Sequence, residues 1–397
     1  MATVSTTDVF VTGIGAVSCL GGTAGEFWAG LNAGAPLPVP VPGLTEYVPD
    51  ALAYRVSDGP AEDAGGAGHA GDAGDARGRA TGFALRAARE ALADAGLSPA
   101  VTADMAVVIG TAGGDGGVRE GRVPGGGSWR TPFSVAAAVG GALGSFGTNI
   151  SVSNACAASG YALSVAVDLI RRDEADTVLV GGAEGLAWVP PAAFDRLGAT
   201  DPERCRPFDA RRRGTVFGEG AAMLVVQSAR AAAGRPVYGQ VRGTAWSCDA
   251  HHPTALDPEG SQLVRVARDA LAAAGRAPDG IGCVIPHGTG TPPNDEVEYR
   301  VLREVFGERV ADTPLFSLKT FIGHTAGASA AFAAVGAALM ARHGRVPANA
   351  PLQYPDPSCP VWLPPTPLRL APHRSDVLIN AYAFGGSNFA MVFGGVR

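Results

Sequence analysis

The 397 residues exceed one typical domain and predict two domains or two closely packed halves. With 46% hydrophobic and 17% charged residues the composition excludes a disordered chain, and a net charge of −6 excludes a general nucleic-acid binder. No run of about 18 apolar residues occurs and the N-terminus lacks a basic, apolar-cored leader, so a cytoplasmic protein with no membrane span is expected.

In chain order, a strand over 8–15, a helix over 82–95 and a strand over 105–110 come first. A helix over 132–143, a strand over 149–153, a helix over 156–172, a strand over 177–182 and an apolar run over 221–226 complete the first part. From about Val237 a similar order begins again, with helices starting near Gln262, Glu296 and Gly327 and strands over 283–286, 315–318, 377–383 and 389–393. Strands alternating with helices predict an α/β fold of two like halves, residues 1–235 and 236–397, whose near-continuous apolar strands are buried on both faces. Residues 57–79 are rich in Gly, Ala and Asp and read as a mobile surface loop, with a linking role as the alternative.

The chemistry gathers at strand ends. In Ser153-Asn154-Ala155-Cys156-Ala157-Ala158 a strand stops and a helix starts at the cysteine, where the helix dipole favours thiolate and small neighbours admit a substrate carbonyl. The other reading of Cys156 is a small buried hydrophobe. The remaining cysteines, Cys19, Cys205, Cys248, Cys283 and Cys359, lack this setting; with no C-x-x-C pair and no histidines clustered at metal-ligand spacing they read as free thiols with no metal site.

Pro286-His287-Gly288-Thr289-Gly290-Thr291 also lies between a strand and a helix. It places a histidine at a cleft, glycines that allow close approach, and two hydroxyls able to hold an amide-bearing arm. A phosphate-cradling loop is the competing reading, although the spacing is neither a P-loop nor a dinucleotide fingerprint. In Lys319-Thr320-Phe321-Ile322-Gly323-His324-Thr325 a lysine precedes a second histidine. Of 31 basic side chains Lys319 alone is not arginine, so the position either requires a compact ammonium or is a chance survivor. A nearby ammonium holds a histidine neutral and able to donate. Last, Phe384-Gly385-Gly386-Ser387-Asn388 follows an apolar strand and sets a large aromatic beside two glycines, as a swinging gate or as packing in a bend. Arg211-Arg212-Arg213 reads equally as a docking patch for an acidic partner or as a solvated turn.

These motifs, in this order, resemble those of elongating β-ketoacyl-acyl-carrier-protein synthases of the thiolase-fold superfamily. The likeness extends to Val11-Thr12-Gly13-Ile14-Gly15, Gly181-Gly182-Ala183-Glu184, Arg206-Pro207-Phe208-Asp209 and Gly218-Glu219-Gly220, and so spans nearly the whole chain. It implies two pseudo-symmetric βαβαβαββ halves forming a layered αβαβα core. It implies that Cys156 takes an acyl chain from a carrier phosphopantetheine, and that His287 and His324 donate to the malonyl thioester carbonyl during decarboxylation. Lys319 would tune the histidines, the backbone N–H groups of Cys156 and Phe384 would form the oxyanion hole, and Phe384 would gate the acyl pocket. Thr289, Thr291, Gly385, Gly386 and Asn388 would contact substrate.

No metal or bound organic cofactor is implied, only substrates on the phosphopantetheine of an acyl carrier protein. The protein partner is a second copy or a ketosynthase-like chain-length subunit, with no nucleic acid and no membrane. Three departures, Ala383 for Gly, Pro286 for Ala, and Ser329-Ala330 within a usual Gly-Ala-Ala-Gly, favour specialised polyketide or polyene synthesis over housekeeping fatty-acid elongation. The same likeness is compatible with a non-condensing acyltransferase and with a chain-length-setting subunit, although the latter lacks the active cysteine.

Overall fold

The computed structural model describes residues 5, 7–57, 78–120 and 131–395. The loop expected over 57–79 falls almost entirely outside them. The first half supplies strands β1 (Val9–Val17), β2 (Ala106–Gly110), β3 (Asn149–Val152), β4 (Thr177–Glu184) and β5 (Gly220–Ser228). The second supplies β6 (Gly239–Cys248), β7 (Ile281–Ile285), β8 (Asp376–Tyr382) and β9 (Ser387–Gly394). They join edge to edge in the order β7-β8-β9-β6-β1-β5-β4-β2-β3. Pairing is parallel for β7 with β8 and for β2 with both β3 and β4, and antiparallel elsewhere.

The first half runs third-second-fourth-fifth-first across the sheet. The second repeats this order with one difference. Its third strand, expected over 315–318, is reduced to a bridge between Leu315 and Val284. The reason is local: the Ser317 N–H is taken by Asn349 Oδ1 at 2.8 Å instead of a neighbouring strand, and the chain then turns into the short helix Lys319–Ile322.

Helices α1 (Arg79–Asp94), α2 (Phe133–Leu143), α3 (Ala158–Arg171), α4 (Ser261–Ala273), α5 (Pro292–Phe306) and α6 (Ser329–His343) cover the strands. One apolar cluster joins α3 and α6 to strands of both halves, while α1 and α2 pack against the outer face of the first half and α4 and α5 against that of the second. The layers are therefore helix, sheet, helix, sheet, helix. α6 is buried all round from Ser329 to Met340, as its unbroken Ala-rich sequence requires of a central helix. Glycine lets α3 start tight against the strands: a Cβ on Gly110 would lie 2.2 Å from Ser159 N, and one on Gly182 would lie 2.7 Å from Ser159 Cβ. This close approach fixes the residues just before α3, among them Cys156.

Candidate active site

Cys156 sits in a single helical turn, Ala155–Ala157, between β3 and α3. Ala155 has φ 52°, a left-handed conformation that costs a residue with a side chain about 1 kcal/mol or more and marks a sharp elbow. The elbow aims Cys156 into the space between the two halves. His324 approaches from the second half, its backbone held by N–H to Val216 O at 2.8 Å and by its own carbonyl accepting from Gly218 N–H at 3.0 Å. Its Nε2 lies 3.0 Å from Cys156 Sγ and its Nδ1 lies 3.1 Å from Ser329 Oγ.

His287 follows β7, and its ring stands edge-on to that of His324 at 5.6 Å and 87°. The loop carrying it is clamped from two sides. Glu298 on α5 accepts from the N–H groups of His287 and Gly288, both at 2.7 Å, and the Lys319 ammonium donates to the His287 carbonyl. Glu298 and Lys319 are both buried. Burial pushes the carboxyl up and the ammonium down, and each sustains the other's charge. The compact ammonium that the lone lysine suggested is thus a buried ion anchoring the histidine loop.

Burial first, and the Lys319 charge after it, hold His324 well below the ordinary histidine range; for His287 the neighbouring His324 adds to the same direction. Both rings are neutral. Burial likewise pushes the Cys156 thiol up to about 12, with Lys319 pulling the other way. This reverses the resting thiolate expected from the helix dipole, because desolvation of the sulfur outweighs it. The resting pair is a thiol beside a neutral imidazole.

A cavity of about 550 Å³ opens beside Cys156, with Leu186, Val189, Phe194, Phe217 and Phe384 among its walls. Phe384 stacks on Phe194 at 4.9 Å and 10°, and Phe194 meets Phe217 edge-on at 5.0 Å. After Phe384 come Gly385 and Gly386 with φ 85° and 77°, values only glycine adopts without strain. The turn is tied down: Gly385 N–H donates to Pro253 O at 2.8 Å, and Asp249 N–H donates to Gly386 O at 2.9 Å. Glu184 also lines the cavity, its carboxylate accepting from the Ala112, Gly113 and Gly327 amides at 2.7, 2.9 and 3.1 Å.

The structure brings Cys156, His287, His324, Lys319 and Phe384 into one site. Thr289 and Thr291 share a 2.9 Å hydroxyl contact near His287 but do not line the cavity. Asn388 is not brought to it either. Fully buried, it donates through Nδ2 to Asp249 Oδ1 at 2.6 Å and Ser247 Oγ at 3.3 Å, so it braces the glycine turn instead of facing substrate. Of the triple-arginine patch, Arg212 alone is withdrawn from the surface. Arg212 is buried against Asp356, Asp295 and Glu296, Arg211 lies over the Tyr354 ring at 3.4 Å, and both Arg211 and Arg213 are exposed. A guanidinium sealed among carboxylates is not open to a docking protein.

Glu298 and Ser329 escaped the reading of the sequence as site residues. Glu298 looks like an ordinary helix carboxylate until α5 carries it under the His287 loop, although a lone buried lysine signals that a carboxylate must lie near it. Ser329 was visible only as a break in a small-residue run.

Residues 6–232 match the N-terminal domain of beta-ketoacyl synthases and residues 238–353 their C-terminal domain. The chain spans 65% of the length of nodulation protein E of Rhizobium meliloti, to which it is 34% identical over 66% of its own length. It is 33% identical to the tetracenomycin polyketide synthase ketoacyl synthase alpha subunit of Streptomyces glaucescens, over 97% of this chain and 96% of that one. Among solved structures it resembles the ishigamide ketosynthase/chain length factor, with a TM-score of 0.85, 30% identity, and 98% of this chain and 99% of that one covered. A type II polyketide synthase acyl-carrier protein in complex with its ketosynthase matches with a TM-score of 0.85, 25% identity and the same coverage. The chain belongs to the beta-ketoacyl synthase family.

Proposed function

We propose that this protein is a β-ketoacyl-acyl-carrier-protein synthase that condenses a Cys156-bound acyl chain with a malonyl unit, in polyketide or polyene assembly. The observation that carries the reading is the 3.0 Å contact between Cys156 Sγ and His324 Nε2, with a second neutral imidazole, His287, edge-on to the His324 ring at 5.6 Å, and an apolar cavity beside the sulfur.

In the first half-reaction Cys156 Sγ attacks the acyl thioester, the bond from acyl carbon to carrier sulfur breaks, and the thiol proton leaves with the carrier thiolate through His324. In the second, malonyl-carrier enters. Neutral His287 and His324 donate to its thioester carbonyl, the carboxylate departs as CO2, and the enolate carbon attacks the Cys156 thioester. The cysteine thiolate released then regains a proton. The backbone N–H groups of Cys156 and Phe384 act as the oxyanion hole, and Lys319 with Glu298 sets the position of His287. Phe384, stacked on Phe194, gates the cavity, which takes the growing chain. Thr289 and Thr291 hold the phosphopantetheine arm, with the backbone at Gly385 and Gly386 beside its path.

The strand order, repeated about the middle of the chain, supports treating 1–235 as the half that carries the nucleophile and 236–397 as the half that carries both histidines and the lysine. The partners on this reading are an acyl carrier protein and either a second copy or a chain-length subunit, and the location is cytoplasmic. The polyketide relatives favour this over fatty-acid elongation. The test is to add malonyl-carrier to protein already loaded with an acyl chain. A carrier extended to the β-ketoacyl form, with one CO2 released per turnover, is expected; loading without extension would make the protein a non-condensing acyltransferase.

A further inference from the structure

Ser329 opens helix α6, the central helix of the molecule, and is 8% exposed. The single turn Ala326–Ala328, entered through Ala326 at φ 42°, folds it back beneath His324. Its Oγ lies 3.1 Å from His324 Nδ1, and Thr325 Oγ1 stands 3.4 Å from it. The other nitrogen of the same ring meets Cys156 Sγ at 3.0 Å. Sulfur, imidazole and hydroxyl thus form one line of hydrogen-bonding atoms: a nucleophile, a base, and a group that orients the base. His287 offers a contrast inside the same site. Its Nδ1 has no hydrogen-bond partner among the described residues.

We infer that Ser329 is a positioning residue that makes His324, and not His287, the base for acyl loading. The Ser329 oxygen accepts from Nδ1–H, which leaves the Nε2 lone pair directed at the thiol. During loading the proton of Cys156 moves to Nε2 as Sγ bonds to the acyl carbon. The carbon–sulfur bond to the carrier breaks, and the carrier thiolate departs with that proton. While the ring carries both protons, the serine oxygen faces its positive charge. The inference rests on the ketosynthase reading and deepens it, because it divides labour between the two histidines. His324 serves loading as the Nδ1–H tautomer and condensation as the Nε2–H tautomer, in which the Ser329 hydroxyl turns to donate to Nδ1 and is not required for donation from Nε2; His287 serves condensation alone.

The test separates the two half-reactions in the natural protein, Ser329→Ala and Ser329→Thr. Loading of Cys156 from acyl-carrier is followed by intact mass, and condensation is followed in protein loaded to completion beforehand. Ser329→Ala is expected to load about tenfold slower through the maximal rate with KM unchanged, the effect of one lost hydrogen bond to a charged ring. Its preloaded form condenses within about twofold of the natural rate, and Ser329→Thr, which keeps the hydroxyl, restores loading. Equal losses in both half-reactions, or no loss in loading, would overturn the assignment. Should Ser329→Ala fail to fold, Ser329→Cys, with its weak acceptor, takes its place with the same expectation. A natural protein that never loads would instead overturn the ketosynthase reading, and the inference with it.

Discussion

Lys319 is buried and its compact ammonium donates to the His287 carbonyl, a single donation that a larger, planar guanidinium does not reproduce. Lys319→Arg should therefore lower condensation by at least about tenfold while keeping the charge; a rate within about twofold of natural would show that charge alone matters. Cys156 makes a second prediction. With the thiol held up near 12, the reactive thiolate is scarce at neutral pH, and its fraction grows about tenfold per pH unit below that value. Alkylation of Cys156 by iodoacetamide, read on its own peptide, should keep rising from about pH 7 to about pH 9, and a plateau near neutrality would show a stabilised thiolate instead. At this scale the sequence was legible wherever a reactive side chain was framed by small residues beyond an apolar run, as for Cys156, His287 and His324. It was illegible for Ser329 and Glu298, whose roles exist only through partners that the fold delivers.

The elements explain why the charged stretch 211–213 misleads. One of its three arginines points into the protein and two point out, a distinction that a run of identical residues cannot display. Arg212, joined to Asp356, Asp295 and Glu296, ties the segment before β5 to helix α5 and the loop near 356. Arg212→Ala leaves the buried Asp295 carboxylate without its cation and should destabilise the fold by about 3 kcal/mol, whereas Arg213→Ala should change it by no more than about 0.5 kcal/mol. Chemical denaturation of the two variants decides this; equal effects would contradict the buried network. The strand expected over 315–318 went wrong for a related reason, since its apolar pattern is that of a strand but Asn349 claims the amide that would have paired. The other strands and the main helices were legible because their apolar runs are long and bounded by glycine, asparagine or proline.

Across the whole molecule, the site exists because two like halves meet: the elbow of Ala155 presents the sulfur from one, and the loops after β7 and before α6 present the imidazoles from the other. The cavity of about 550 Å³ beside the sulfur is walled mostly by the first half, with Ala326 and Phe384 contributed by the second. Leu186 is one of its largely buried walls, so Leu186→Trp should slow loading of long acyl chains by about tenfold or more while acetyl loading changes little. Equal slowing of both chains would mean that the chain lies elsewhere. The central claim is that Cys156 carries the acyl chain. Intact-mass analysis after exposure to acyl-carrier tests it most directly: one acyl adduct on the natural protein and none on Cys156→Ala is the predicted result, and an adduct that persists in Cys156→Ala would contradict it.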